Sequence, residues 1–255
     1  MSRMHRTLPI ALAVLTFVLF EAVYYQPRLV FWIGALQPVI FFAAIYLILG
    51  PRLKTPWSRF KFLITPTLLV WSALAFSLLL EGNVTRHFLA LLVALFSVLF
   101  FESIFTYVWR HDTYESYSLE NLSSYALTLT VFLGSAALLG LSVLLGVALG
   151  VVVLTGCALF LAVNYEFCWM SKLPPARIPL ILGVITLLLL ELFLGFLFLP
   201  FHFMSAGAAL TVFWYTAVSI VRAFALGLLT GKMVRRHLML SGGLIILLFL
   251  TTRWI

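Results

Sequence analysis

NLSSYALTLTVFLGSAALLGLSVLLGVALGVVVLTGCALFLAVNY, residues 121–165, contains no acidic or basic side chain. One helix needs roughly 20 apolar residues to cross the hydrocarbon of a bilayer, so the stretch is too long for a single crossing. It fits two crossings joined by a tight turn between Gly140 and Gly146. The choice between one crossing and two sets the side of the membrane on which every later loop falls.

The basic residues decide that choice, because Lys and Arg near span ends accumulate on the cytoplasmic side. Apolar runs bounded by charges, Pro or Gly place nine spans near residues 8–25, 29–49, 62–81, 87–109, 121–141, 145–166, 178–200, 204–229 and 237–254. With the N-terminus cytoplasmic, the inner set is Arg3, Arg6, Arg52, Lys54, Arg59, Lys61, Arg110, Lys172, Arg177, Lys232, Arg235 and Arg236. Only Arg28, Arg86 and Arg253 fall outside. Twelve against three is a strong bias, whereas a single crossing over 121–165 brings the two sides to near parity. The expectation is an all-α polytopic integral membrane protein with nine transmembrane helices, short loops, a cytoplasmic N-terminus and an outer C-terminus.

Composition agrees. The 255 residues are 64% hydrophobic and 9% charged, with mean hydropathy +1.17, against about 25% charged residues in soluble domains. Nine spans leave no soluble domain, so residues 1–255 read as one transmembrane domain. The net charge of +8 is spread over short loops rather than gathered on a solvated face, which argues against nucleic acid as a partner. Cys157 and Cys168 lie in one apolar segment, and neither a disulfide framework nor a metal motif is present. MSRMHR followed by an apolar run resembles a signal peptide, but the run ends in bulky FEAVYYQPR without a small-residue cleavage site. It reads as an uncleaved first span in a plasma (inner) membrane.

Two loops stand out. PRLKTPWSRFK, residues 51–61, combines Arg52, Lys54, Arg59 and Lys61 with Trp57, which suits the cytoplasmic headgroup layer. RHDTYESYSLEN, residues 110–121, is the acidic loop and supplies Asp112 and Glu115. With Glu166, placed near the same face, these residues form a candidate cytoplasmic interface.

Ionisable groups inside spans are costly and usually face a bundle interior or a water-filled cavity. Glu21, Glu102, Glu191 and Arg222 are therefore the candidate intramembrane polar site. Glu21 and Glu191 are expected at similar depth in two outward-running spans, where they could meet. Ala13, Ala94 and Gly183 precede Glu21, Glu102 and Glu191 by eight residues, and Gly195 follows Glu191 by four. Small residues permit close helix packing, so Glu191 is expected to point into protein. Gly207, Thr211, Tyr215, Ser219 and Arg222 recur three or four apart along the eighth span, a polar stripe that turns Arg222 toward a carboxylate, backbone carbonyls or the cytoplasmic interface. The first, fourth and seventh spans each carry an acid in their second half, a hint of three repeats of three spans.

No HExxH, CxxC, GxSxG, Walker loop or dinucleotide-binding fingerprint occurs, and His5, His87, His111, His202 and His237 lack ligand spacing. No cofactor or metal is expected. A structural, accessory or assembly subunit, with buried charges holding helices and with membrane lipids, a protein partner or a second copy as partners, leads the functional readings. A small secondary transporter or channel using the three Glu residues as proton or cation sites is the alternative. A membrane-embedded enzyme on a lipid-linked substrate is third.

Overall fold

In the computed structural model, the backbone is described for residues 3–49, 56–109 and 118–252, and side chains for 7–48, 61–109 and 118–252. Nine α-helices and no strand occur among the described residues. They are α1 (Arg3–Tyr25), α2 (Val30–Leu49), α3 (Pro56–Ser77), α4 (Asn83–Trp109), α5 (Ser118–Leu145), α6 (Leu149–Met170), α7 (Ile178–Phe198), α8 (Phe203–Ala225) and α9 (Gly231–Thr251). Eight are long and apolar enough to cross a membrane; the apolar run described in α3, Lys61–Ser77, is shorter. So many apolar helices point to a multi-pass membrane protein.

The turn in the uncharged stretch lies where charge counting requires one. α5 stops at Leu145, Gly146 takes a φ of +63°, and α6 starts at Leu149. A positive φ is cheap for Gly and strained for a residue with a Cβ, so Gly146 lets the chain reverse within three residues. The start of α9 differs from the expected span by six residues, since the helix begins at Gly231. Thr230 caps it, its Oγ1 accepting from the Met233 amide at 3.3 Å. Lys232, Arg235, Arg236 and His237 therefore occupy its first turns rather than a loop.

The chain divides into two compact units, one ending at Leu127 and the other beginning at Thr128. In the first, α1 packs mainly on α4 and α2 on α3. Leu12, Ala13, Phe20 and Val23 of α1 and Ala90, Val93, Ala94 and Phe101 of α4 are buried. Ala13 and Ala94 thus occupy the packed faces that small side chains favour. Polar groups inside this unit are shared between helices. Gln37 Nε2 donates to Thr16 Oγ1 at 2.7 Å, linking α2 to α1. Pro38 lacks an amide hydrogen, which leaves the carbonyl four residues back, Gly34 O, without its helical donor. The Trp71 indole of α3 supplies one at 2.7 Å, and Trp109 Nε1 donates likewise to Ile48 O at the end of α2 (2.8 Å).

In the second unit α6 packs on α7, α7 on α8, and α8 on α9. Ile185, Leu189, Phe193 and Phe196 make the buried stripe of α7, at the spacing of one helical face. Phe160 of α6 meets Phe193 edge-on at 5.8 Å between centroids. A Cβ at Gly207 of α8 would lie 2.7 Å from Ala136 Cβ and 3.0 Å from Ala136 N of α5, so only Gly allows that approach. α9 has no buried residue among those described.

Two outcomes follow from these contacts. Trp71→Phe should cost about 1 kcal/mol in detergent unfolding, and much less in a Pro38→Ala background, where position 38 regains an amide hydrogen and donates to Gly34 O itself; equal losses in both backgrounds would reject the carbonyl rescue. Gly207→Ala should cost about 1–3 kcal/mol through overpacking, whereas Gly150→Ala, whose Cβ would meet nothing within 4 Å, should leave the melting temperature unchanged or slightly higher.

Candidate functional site

The four residues expected to form an intramembrane site have separate surroundings. Glu21 closes the last turns of α1, and its Oε1 lies 2.7 Å from His87 Nδ1 at the start of α4. Tyr24 stacks obliquely on the His87 ring at 5.5 Å, and the Arg86 guanidinium sits 5.2 Å over the Tyr24 ring. Arg86 Nε also donates to Leu80 O, at the end of the α3–α4 turn. A cavity of about 80 Å³ opens beside this group, walled by Phe20, Glu21, Tyr24, Pro27, Ser77 and Arg86. A carboxylate–imidazole contact, an aromatic face and a carbonyl thus lock one end of the first unit, and the acid is one member of that lock.

Glu102 lies fifteen residues beyond His87 on α4, roughly 22 Å at 1.5 Å per residue. It therefore cannot join Glu21, and it is exposed. The cause is helical phase. Phe100 and Ile104 are fully buried, and a residue two positions from each is turned by about 200° to the opposite side. Glu191 is in the same position relative to Leu189 and Phe193, both buried, and is exposed on α7. The expected inward Glu191 is therefore an outward one. Gly183 and Gly195 share that open face, and a Cβ at either would meet nothing within 4 Å.

Arg222 is exposed near the end of α8 and has no ion pair among the described residues. Ser219 is half-buried and Tyr215 exposed. Ala206, Leu210, Trp214 and Val218 form the buried side of α8, and Thr211, Tyr215 and Ser219 lie one residue, about 100°, around from it, whereas Arg222, four residues after Val218, continues the buried row to an exposed position near the helix end. The stripe flanks the core instead of entering it. Arg177, at the start of α7, places its guanidinium 5.7 Å over the Phe224 ring.

Glu166, expected near the interface, is buried, 1% exposed. α6 continues to Met170, a full turn beyond the expected end of the span, which draws Glu166 inside. The interior of this unit also holds a clasp that the sequence did not announce. Asn164 Nδ2 donates to Thr186 Oγ1 of α7 at 3.0 Å, and Asn164 Oδ1 accepts from Trp214 Nε1 of α8 at 3.0 Å. One amide joins three helices, with all three side chains buried. Of the expected cytoplasmic interface, Lys61 is half-buried in α3. Arg52, Lys54, Asp112 and Glu115 lie outside the described residues, as do the side chains of Trp57 and Arg59.

A larger opening lies in the second unit: a cleft of about 910 Å³ between α8 and α9, with Thr128 of α5 in its wall. α8 contributes Thr211, Val212, Tyr215 and Thr216, and α9 contributes Lys232, Arg236, His237, Leu240, Ser241 and Leu244. Thr216 and Ser241 share a hydrogen bond across its floor, and Ser241 Oγ donates back to His237 O at 2.6 Å. The α8 half coincides with part of the polar stripe. Of the α9 half, Lys232 and Arg236 fall in what the charge pattern reads as a loop and Leu240, Ser241 and Leu244 in the expected span, although Lys232, Arg236, Leu240 and Leu244 are spaced four residues apart. No group of three His, Cys, Asp or Glu side chains suited to a metal occurs among the described residues. Comparison with protein-family models, curated proteins and solved structures finds no match.

The clasp predicts a measurable coupling. Asn164→Leu orphans the buried Trp214 Nε1 and should lower stability by about 1–3 kcal/mol. Adding Trp214→Phe removes the orphan and should recover part of that loss; fully additive losses would mean that the two side chains do not depend on each other.

Proposed function

We propose that the chain is a multi-pass protein of the plasma (inner) membrane, with its N-terminus cytoplasmic and C-terminus outside, acting as a structural or assembly subunit. The observation that carries this reading is the outward placement of Glu102 and Glu191. Carboxylates within membrane spans almost always face protein or water, yet these two stand on the exposed faces of α4 and α7. A protein neighbour, another copy or a different chain, gives them the polar partner that the described residues do not supply. The flat face of Gly183, Glu191 and Gly195 suits such a helix, because small residues let backbones approach and a polar side chain can then bridge them.

The transporter reading lacks comparable support. Glu21 is engaged by His87, Glu102 sits toward the far end of α4, and neither Glu102 nor Glu191 lines the cavity at Glu21 or the cleft at α9. The orientation rests on the distribution of Lys and Arg, and the enzyme reading on no described geometry.

Two experiments test the proposal. In a Cys157→Ala, Cys168→Ala background, Arg28→Cys should react with an impermeant maleimide in intact cells, and Lys172→Cys only after the membrane is opened; the reverse pattern inverts the topology. In mild detergent the assembly should exceed the 28.7 kDa of one chain, and Glu102→Gln with Glu191→Gln should release monomer. A wild-type chain that is already monomeric would remove the subunit reading.

A further inference from the structure

We infer that the cleft between α8 and α9 holds one anionic phospholipid of the cytoplasmic leaflet, with its phosphate at Lys232 and Arg236 and an acyl chain along Leu240 and Leu244. The choice of leaflet rests on the orientation proposed above; the site itself does not.

The cleft is polarised along its length. Lys232 and Arg236 stand one turn apart at one end, with His237 beside them, while Val212, Leu240 and Leu244 line the other. From Lys232 to Leu244 is twelve residues of α9, roughly 18 Å of helix, against about 15 Å for half of a 30 Å hydrocarbon core. A groove one leaflet deep, cationic at its mouth and apolar at its end, has the dimensions and polarity of a lipid lying parallel to the helix. Neither Lys232 nor Arg236 has a carboxylate partner among the described residues, so two positive charges face the space uncompensated. That favours a net-negative headgroup over a zwitterionic one. At the far end Thr211 donates to Gly207 O of its own helix at 2.8 Å, and Thr216 and Ser241 bond each other, so the hydroxyls there are engaged and the apolar side chains are left to meet an acyl chain.

Neighbouring side chains supply the contrast. Arg235 is adjacent to Arg236 in sequence but belongs to a different depression, with Leu229, Val234, Leu238 and Met239. The two arginines have equal charge and nearly equal depth, yet only Arg236 faces the cleft. A free phosphate would use the cationic mouth and ignore the apolar end. A second copy of the chain would fill the apolar end with a helix and produce a dimer.

The test uses the full chain, delipidated in a neutral detergent and titrated with phosphatidylglycerol or phosphatidylcholine of identical acyl chains, with bound lipid counted by native mass spectrometry. Phosphatidylglycerol should bind as one molecule per chain, at least about tenfold more tightly than phosphatidylcholine. Each basic residue near an anionic lipid is worth about fivefold, so Lys232→Gln with Arg236→Gln should weaken binding about 25-fold. Arg235→Gln should have little effect, and Leu244→Trp, which fills the apolar end, should displace the lipid with the cationic mouth intact. Equal binding of the two lipids would overturn the inference, as would equal losses for the Arg235 and Arg236 variants. Competition by millimolar inorganic phosphate would reduce the site to an anion site, and a dimer abolished by Leu244→Trp would assign the groove to a second copy. Maleimide reaction of Lys172→Cys, outside the cleft, from the outer side with lipid selectivity unchanged would overturn the leaflet and the proposed orientation while leaving the site in place.

Discussion

A helix that carries a polar group among apolar neighbours must find that group a partner, because hydrocarbon offers none. Three contacts within this chain meet that requirement between helices. Thr16 with Gln37, Trp71 with the carbonyl freed by Pro38, and Asn164 with Thr186 and Trp214 each tie different helices together at one point. Between lipid-like faces there is little hydrophobic gain from bringing helices together, so packing and such hydrogen bonds carry much of the specificity. Each bond also fixes a register: a shift of one residue turns a helix by about 100° and would separate donor from acceptor.

The same requirement gives meaning to the groups left outside. Glu21 is satisfied within its own unit, by a His that is itself held among Tyr24 and Arg86. Glu102 and Glu191 are not, and their opposition to fully buried neighbours two residues away shows that their exposure is imposed by the phase of well-packed helices. Lys232 and Arg236 repeat the pattern with opposite sign at the mouth of a cleft. Charge thus stands exposed on α4 in the first unit and on α7 and α9 in the second, while among the described residues Glu166 is the acid held inside.

How much of this is legible in the sequence depends on the length scale of each signal. The nine helices can be read because apolar runs about twenty residues long survive any local ambiguity, and the reversal near Gly146 can be read because the charges on both sides of it demand a crossing. The facing of Glu191 cannot. Gly183 and Gly195 signal a flat surface, but the sequence does not say whether that surface is already covered within the chain. Glu166 escapes correct placement because the apolar helix does not end at it: Phe167, Cys168, Trp169 and Met170 carry α6 one turn further. The α9 ladder escapes notice because Lys232, Arg235 and Arg236 look like a loop when counted as charges and like a helix only when counted by phase. The Trp71 and Asn164 bonds join residues 37 and 22 or 50 positions apart, beyond the reach of any local pattern.

The Gly146 reversal bears on how the chain enters a bilayer. The turns after α1 and α3 hold Arg28 in one case, and Glu81 and Arg86 at or beside the other, whereas Gly146, Val147 and Ala148 carry no charge and almost no side-chain polarity. Moving a charge across hydrocarbon is the costly step of insertion; for α5 and α6 that step is absent. A pair of helices joined by such a turn has no charged group between them, so the longest uncharged stretch in the chain is also the one that an apolar medium admits at least cost.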